Sequence, residues 1–223
     1  MSESIGVIFD CDGTLVDSME AWHGVDRALC ADAGISLTPA DADAITTMSL
    51  EEASAYLHER CGLGRSTAQV MDMIFERMRA FYANEVEARP GALAFVQGLA
   101  ECGVPLAVAS STSPDMLRTC LDRCGFTPYL RAIVSVDDLA TSKREPAVYD
   151  YARSFLGTDR ALTWGFEDAA YALDTLNGAG YRTAAIYDND ISGTRDALLA
   201  RADFLISSFE DLDAATFLAK ARG

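Results

Sequence analysis

Positive charge is what this chain has least of. Against 34 Asp and Glu stand 18 Lys and Arg, which gives a formal net charge of −16 and a pI near 4.4. Nucleic-acid backbones and anionic membrane surfaces are gripped through basic patches, so neither is an expected partner. The chain also lacks an apolar run of the ~18 residues that a membrane helix needs, and nothing in it resembles a secretory leader. Its six cysteines (Cys11, Cys30, Cys61, Cys102, Cys120, Cys124) lack the spacing of a small disulfide scaffold. The expectation is a reduced, cytoplasmic protein, a monomer or small homo-oligomer. His58 with Cys61, and Cys120 with Cys124, have a spacing open to metal, but small apolar thiols on helix faces are the simpler explanation. There is no internal repeat and no low-complexity tract.

What the chain does have is apolar residues: half of its 223 are hydrophobic, enough for one domain with an insertion or two small domains. Val7-Ile8-Phe9 runs directly into Asp10-Cys11-Asp12-Gly13-Thr14-Leu15. An apolar run without polar alternation suits a strand buried on both faces of a parallel sheet. Asp10 and Asp12 then lie at its carboxyl end, where open α/β sheets bind ligands. Two carboxylates one residue apart raise each other's pKa and repel anions. A divalent cation resolves this, and hard oxygen donors suit Mg²⁺.

Downstream, Asp17-Ser18 opens a helix ending at Gly34, Thr38-Pro39 starts another, and Ser49-Leu50-Glu51-Glu52 and Ser66-Thr67-Ala68-Gln69 have capping-box spacing. Residues 18 to about 86 therefore read as helices only. Beyond Arg89-Pro90-Gly91, apolar runs (Val104 to Ala109, Ala132 to Val136, Ala161 to Phe166, Thr183 to Tyr187, Phe204 to Ile206) alternate with helical patterns. That alternation predicts a parallel sheet with right-handed crossovers, interrupted near its start by a helical insertion.

Three more strand ends carry polar groups. Ser110-Ser111-Thr112-Ser113 precedes Pro114 and offers hydroxyls and N–H groups at a helix start. Lys143, one of few lysines, lies in the third strand-to-helix connection and can hold a phosphate as a point charge. Glu167-Asp168 leaves the fourth strand as a second acidic pair. Each has a bland explanation as a cap or a solvated charge; four coinciding strand ends do not.

The order of these motifs resembles the haloacid dehalogenase-like phosphatases over nearly the whole chain, most specifically in Asp10-Cys11-Asp12-Gly13-Thr14-Leu15-Val16-Asp17-Ser18. The insertion is similar to the small α-helical cap of the β-phosphoglucomutase and phosphoglycolate phosphatase branch. The resemblance implies a Rossmann-like open parallel sheet in an α/β core of residues 1–16 and 88–223, with a helical cap at 17–87 that closes over the site. It further implies Asp10 as nucleophile, Asp12 as acid/base, and Ser110, Ser111, Lys143 and Thr14 as phosphate-binding residues. Mg²⁺ would be held by Asp10, Asp12 (through its carbonyl), Glu167 and Asp168. The family usually follows the lysine with Pro-x-Pro-Asp, where this chain has Arg144-Glu145-Pro146-Ala147.

The expected activity is Mg²⁺-dependent hydrolysis of a small phosphomonoester, of the sugar or polyol phosphate class, through an aspartyl phosphate. A phosphosugar mutase is the alternative. It would need cationic cap residues in the segment Thr46 to Glu51, where this chain has Met48 and Leu50. A non-catalytic receiver-type switch is the rival from another class, but leaves the helical insertion unexplained. Trp22, His23 and Met48 are the candidate substrate-selecting residues of the cap.

Overall fold

A computed structural model describes residues 4–45, 48–188 and 194–222 of the chain; Thr46 and Thr47, in the segment that bears on the mutase alternative, lie outside the described residues. After β1 (Gly6–Phe9) come four helices, α1 (Met19–Asp32), α2 (Pro39–Ile45), α3 (Leu50–Glu59) and α4 (Thr67–Asn84). Alternation follows: α5 (Ala92–Glu101), β2 (Leu106–Ser110), α6 (Pro114–Arg123), β3 (Ala132–Ser135), α7 (Ala147–Ser154), β4 (Thr163–Glu167) and α8 (Ala170–Gly178). The chain ends with β5 (Arg182–Ile186), α9 (Arg195–Leu199), β6 (Phe204–Ile206) and α10 (Ala214–Ala221). It divides into two compact units, Met1–Asp17 with Val86–Gly223, and Ser18–Glu85.

The larger unit is a six-stranded sheet in the order β3-β2-β1-β4-β5-β6 with every pair parallel, the Rossmann-like α/β fold. β1 lies inside the sheet because all four of its residues are buried and apolar or Gly. From β1 the chain runs outward through β2 to β3, then returns to lay β4 on the other flank of β1. Connections from β1 and β4 diverge at this switch point, leaving a crevice beyond their carboxyl ends. The register aligns Phe9 with both Val108 and Phe166, so Asp10, Ser110 and Glu167 emerge at similar height.

Successive strand residues face opposite sides. Phe9 joins Phe95, Phe166, Phe209 and Phe217 in an aromatic cluster on one face. Ile8 packs on the other with Val148, Tyr149 and Leu156, the buried stripe of α7 and its end. Gly165, opposite Ile8, is a packing requirement, since a Cβ there would lie 2.5 Å from Leu176 Cδ1 of α8.

In the helical unit, Ser49 and Glu52 form the full reciprocal capping box. The second box is only half made: Ser66 accepts from Gln69 N–H at 3.1 Å, while the Gln69 side chain accepts from Arg65 N–H at 2.6 Å. Leu57, Val70, Ile74, Met78 and Tyr82 are buried, and Trp22 Nε1 donates to the Tyr82 hydroxyl at 2.8 Å. Among the described residues no helix is long and apolar enough to cross a membrane.

Candidate active site

The backbone places the first two carboxylates. Asp10 N–H donates to the Phe166 carbonyl at 2.9 Å, extending the β1–β4 ladder by one residue, so the Asp10 backbone is held as part of the sheet. The chain then turns back on itself: the N–H groups of Leu15 and Val16 donate to the Cys11 carbonyl at 2.8 and 3.0 Å, and Gly13 takes φ +75° in the turn. A side chain at Gly13 would strain that conformation.

Lys143 arrives from the loop between β3 and α7 and is 4% exposed. Its ammonium donates to Asp10 Oδ1 and, at 2.6 Å, to Glu167 Oε1. Asp10, Glu167 and Asp168 are all buried, and one carboxylate oxygen of each lies within 4.8 Å of the others. Burial pushes the Asp10 carboxyl well above the ordinary carboxylate range; Lys143 opposes this, and the negative charges of Glu167, Asp168 and Asp12 add to it. For Lys143, burial works against the charged form, but Asp10 and Glu167 outweigh it and keep the ammonium protonated.

A second group forms around Asp12, whose side chain is not among the three clustered carboxylates. Thr112 Oγ1 donates to Asp12 Oδ2 at 2.6 Å, and Ser110 Oγ stands 3.5 Å from the same oxygen. Thr112 is held in turn: its N–H donates to Ser110 Oγ at 3.0 Å, and its carbonyl accepts from Ser135 Oγ at 2.7 Å. Ser111, between them, is exposed. Thr112 was not singled out by the sequence, although alternation from Ser110 puts it on the same side. Thr14 is fully buried, and its hydroxyl has no hydrogen-bond partner among the described residues.

Trp22, His23 and Met48 line one cavity of about 230 Å³ inside the helical unit, with Ile45, Leu57 and Ile74. The six cysteines are free thiols, and Asp10, Glu167 and Asp168 are the one group with metal-ligand geometry found among the described residues.

The model of the haloacid dehalogenase-like hydrolases matches residues 7–186, spanning every strand end just described. The chain belongs to that family. This hydrolase is 30% identical to a phosphoglycolate phosphatase of Rhodospirillum rubrum, over 78% of its own length and 76% of the relative's. It is also 30% identical to hexitol phosphatase A of Escherichia coli K12, over 81% and 82%. In fold it is similar to a Thermotoga maritima protein assigned as a beta-phosphoglucomutase, with TM-score 0.83, 21% identity, and 97% and 98% of the two chains covered.

The hydrolase's acidic cluster fits a divalent cation. Three buried carboxylates cluster, and the ammonium of Lys143 reaches only two of them, Asp10 and Glu167. Glu167 Oε2 is buried with no hydrogen-bond partner among the described residues, a costly state for a carboxylate oxygen unless a cation or donor meets it.

Proposed function

We propose that this hydrolase is a Mg²⁺-dependent phosphatase that cleaves a small phosphomonoester through a phosphorylated Asp10. The observation that carries the reading is the convergence of Asp10, Lys143, Glu167 and Asp168 at the switch point of the sheet. Asp10, Glu167 and Asp168, with the Asp12 carbonyl, are the proposed Mg²⁺ ligands. When bound, the ion supplies positive charge that keeps Asp10 ionised and offsets its repulsion of a phosphate dianion.

The chain's own groups do the rest. Lys143 holds one Asp10 oxygen, orienting the carboxylate, and offers charge to the transferring phosphoryl group along with donors from Ser110, Ser111 and Thr14. Asp10 forms a bond to phosphorus as the ester oxygen departs; Asp12 gives that oxygen its proton. Asp12 then takes a proton from water as the water attacks phosphorus, and Asp10 is released with inorganic phosphate. Thr112 fixes the Asp12 carboxylate for both transfers.

The named activities of the relatives, on phosphoglycolate and on hexitol phosphates, define the substrate class to test first. The cavity bearing Trp22, His23 and Met48 is the proposed determinant of which leaving group is accepted. The test is phosphate release from a panel of both classes, with β-glucose 1-phosphate and its bisphosphate included, by wild type and Asp10→Asn, with and without EDTA. Expected is Mg²⁺-dependent hydrolysis that Asp10→Asn abolishes with circular dichroism unchanged. Full activity in the variant refutes the mechanism; efficient isomerisation without hydrolysis refutes the phosphatase reading.

A further inference from the structure

Tyr149 takes no part in the steps above, yet its hydroxyl reaches the acidic cluster. It lies on α7, is 1% exposed, and donates to Glu167 Oε1 at 2.7 Å. That oxygen is also the acceptor for Lys143 at 2.6 Å. Two donors thus meet one Glu167 oxygen, while Oε2 has no partner among the described residues.

The arrangement is asymmetric in a way that Lys143 alone does not impose. An ammonium is a point donor that can approach either oxygen of a carboxylate, or sit between both. A phenol whose ring is fixed in a packed core keeps its oxygen at one place and donates close to the ring plane. The Tyr149 ring is locked in this way: it belongs to the buried cluster of Ile8, Ala107, Val148 and Leu176, with the Tyr181 ring 6.4 Å away. With its hydroxyl on Oε1, the Glu167 carboxylate cannot turn both oxygens toward Lys143, and Oε2 stays available.

We propose that Tyr149 is a positioning residue of the metal site, keeping Glu167 Oε2 free of Lys143 and directed to the divalent cation. This rests on the metal reading above. Partners that hydrogen-bond to a metal-ligating carboxylate typically contribute 10–100-fold to metal affinity, and this contact is of that kind.

The test is isothermal titration of the metal-free full chain with MgCl₂, for wild type, Tyr149→Phe and Tyr181→Phe. Tyr149→Phe removes one oxygen and keeps the ring that fills the core. Tyr181→Phe removes a nearby hydroxyl that donates to Asp150 and touches no cluster residue, so it reports any general loosening. Expected is Mg²⁺ affinity about 10–100-fold weaker in Tyr149→Phe and unchanged in Tyr181→Phe, with circular dichroism preserved in both. Wild-type affinity in Tyr149→Phe, or an equal loss in Tyr181→Phe, overturns the role of Tyr149 while leaving the metal site standing. A wild type that takes up no Mg²⁺ overturns the metal reading and this inference together.

Discussion

Replacing Lys143 by methionine keeps an aliphatic stem of similar length and deletes the ammonium from between Asp10 and Glu167. The Lys143, Asp10 and Glu167 side chains are 3%, 7% and 1% exposed, so water cannot take the place of the lost charge. Removing one partner of such a buried pair costs about 3–5 kcal/mol. For a chain of this length that is a fall in Tm of roughly 6–20 °C. The cost depends on pH, because the stranded Asp10 carboxylate escapes it by taking up a proton. Asp10 is already pushed up by burial against the opposing pull of Lys143, and removal of that pull sends it higher. A group whose pKa is raised on folding contributes stability in full below its unfolded value, and loses it as pH rises through the folded value. The penalty is therefore smallest near pH 5 and grows toward pH 8.

Urea denaturation of the metal-free chain at both pH values, wild type beside Lys143→Met, measures this directly. An equal penalty at the two pH values, or a larger one at pH 5, refutes the electrostatic account of the cluster. Arg144→Gln is the control: Arg144 is exposed, with its guanidinium 4.7 Å above the Tyr171 ring, so its loss should change stability by no more than about 1 kcal/mol. Inhibition by inorganic phosphate should weaken in Lys143→Met and persist in Arg144→Gln.

Two further outcomes follow from single contacts. Thr112→Val removes the 2.6 Å bond to Asp12 Oδ2 and should lower kcat by about tenfold, as expected for a hydrogen bond to a charged group, with a larger loss on alkyl than on aryl phosphates; equal loss on both would assign Thr112 a structural role. Gly165→Ala puts a methyl group 2.5 Å from Leu176 Cδ1 and should destabilise the chain by about 1–3 kcal/mol in urea denaturation, whereas Gly103→Ala, with open space but φ +78°, tests strain without collision.

The strands were legible because parallel strands buried on both faces must be continuously apolar, and Val7-Ile8-Phe9 and Ala107-Val108-Ala109 have no other home. α9 and α10 were not legible: α9 has only five residues, and α10, capped by Asp213 on Thr216 N–H, has only eight, too few for a clear helical period. Within the site, residue types were legible but contacts were not. Ser110-Ser111-Thr112-Ser113 offers four hydroxyls, and only the continuation of strand alternation past the end of β2 selects Thr112 over Ser111. Tyr149 lay hidden in the stripe Val148, Tyr149 and Ala152, which reads as core and is core; the available signal was that a phenol buried there needs an acceptor.

The loop carrying Lys143 departs from the family pattern and still brings the ammonium to Asp10 and Glu167. Where the resemblance leads one to expect prolines at positions 144 and 146, this chain has Arg144 and keeps only Pro146. It builds the turn from hydrogen bonds: Glu145 N–H donates to the Ser142 carbonyl at 3.1 Å, and Arg144 N–H to Ser142 Oγ at 3.3 Å. Arg144 then lies over Tyr171 of α8, tying the loop after β3 to the helix that begins just beyond Asp168. A proline ring fixes φ in the unfolded chain as well as the folded one, whereas these bonds exist only after folding. The same lysine is therefore delivered to Asp10 and Glu167 at a greater entropic cost, and the attraction of two buried carboxylates for one buried ammonium is what offsets it.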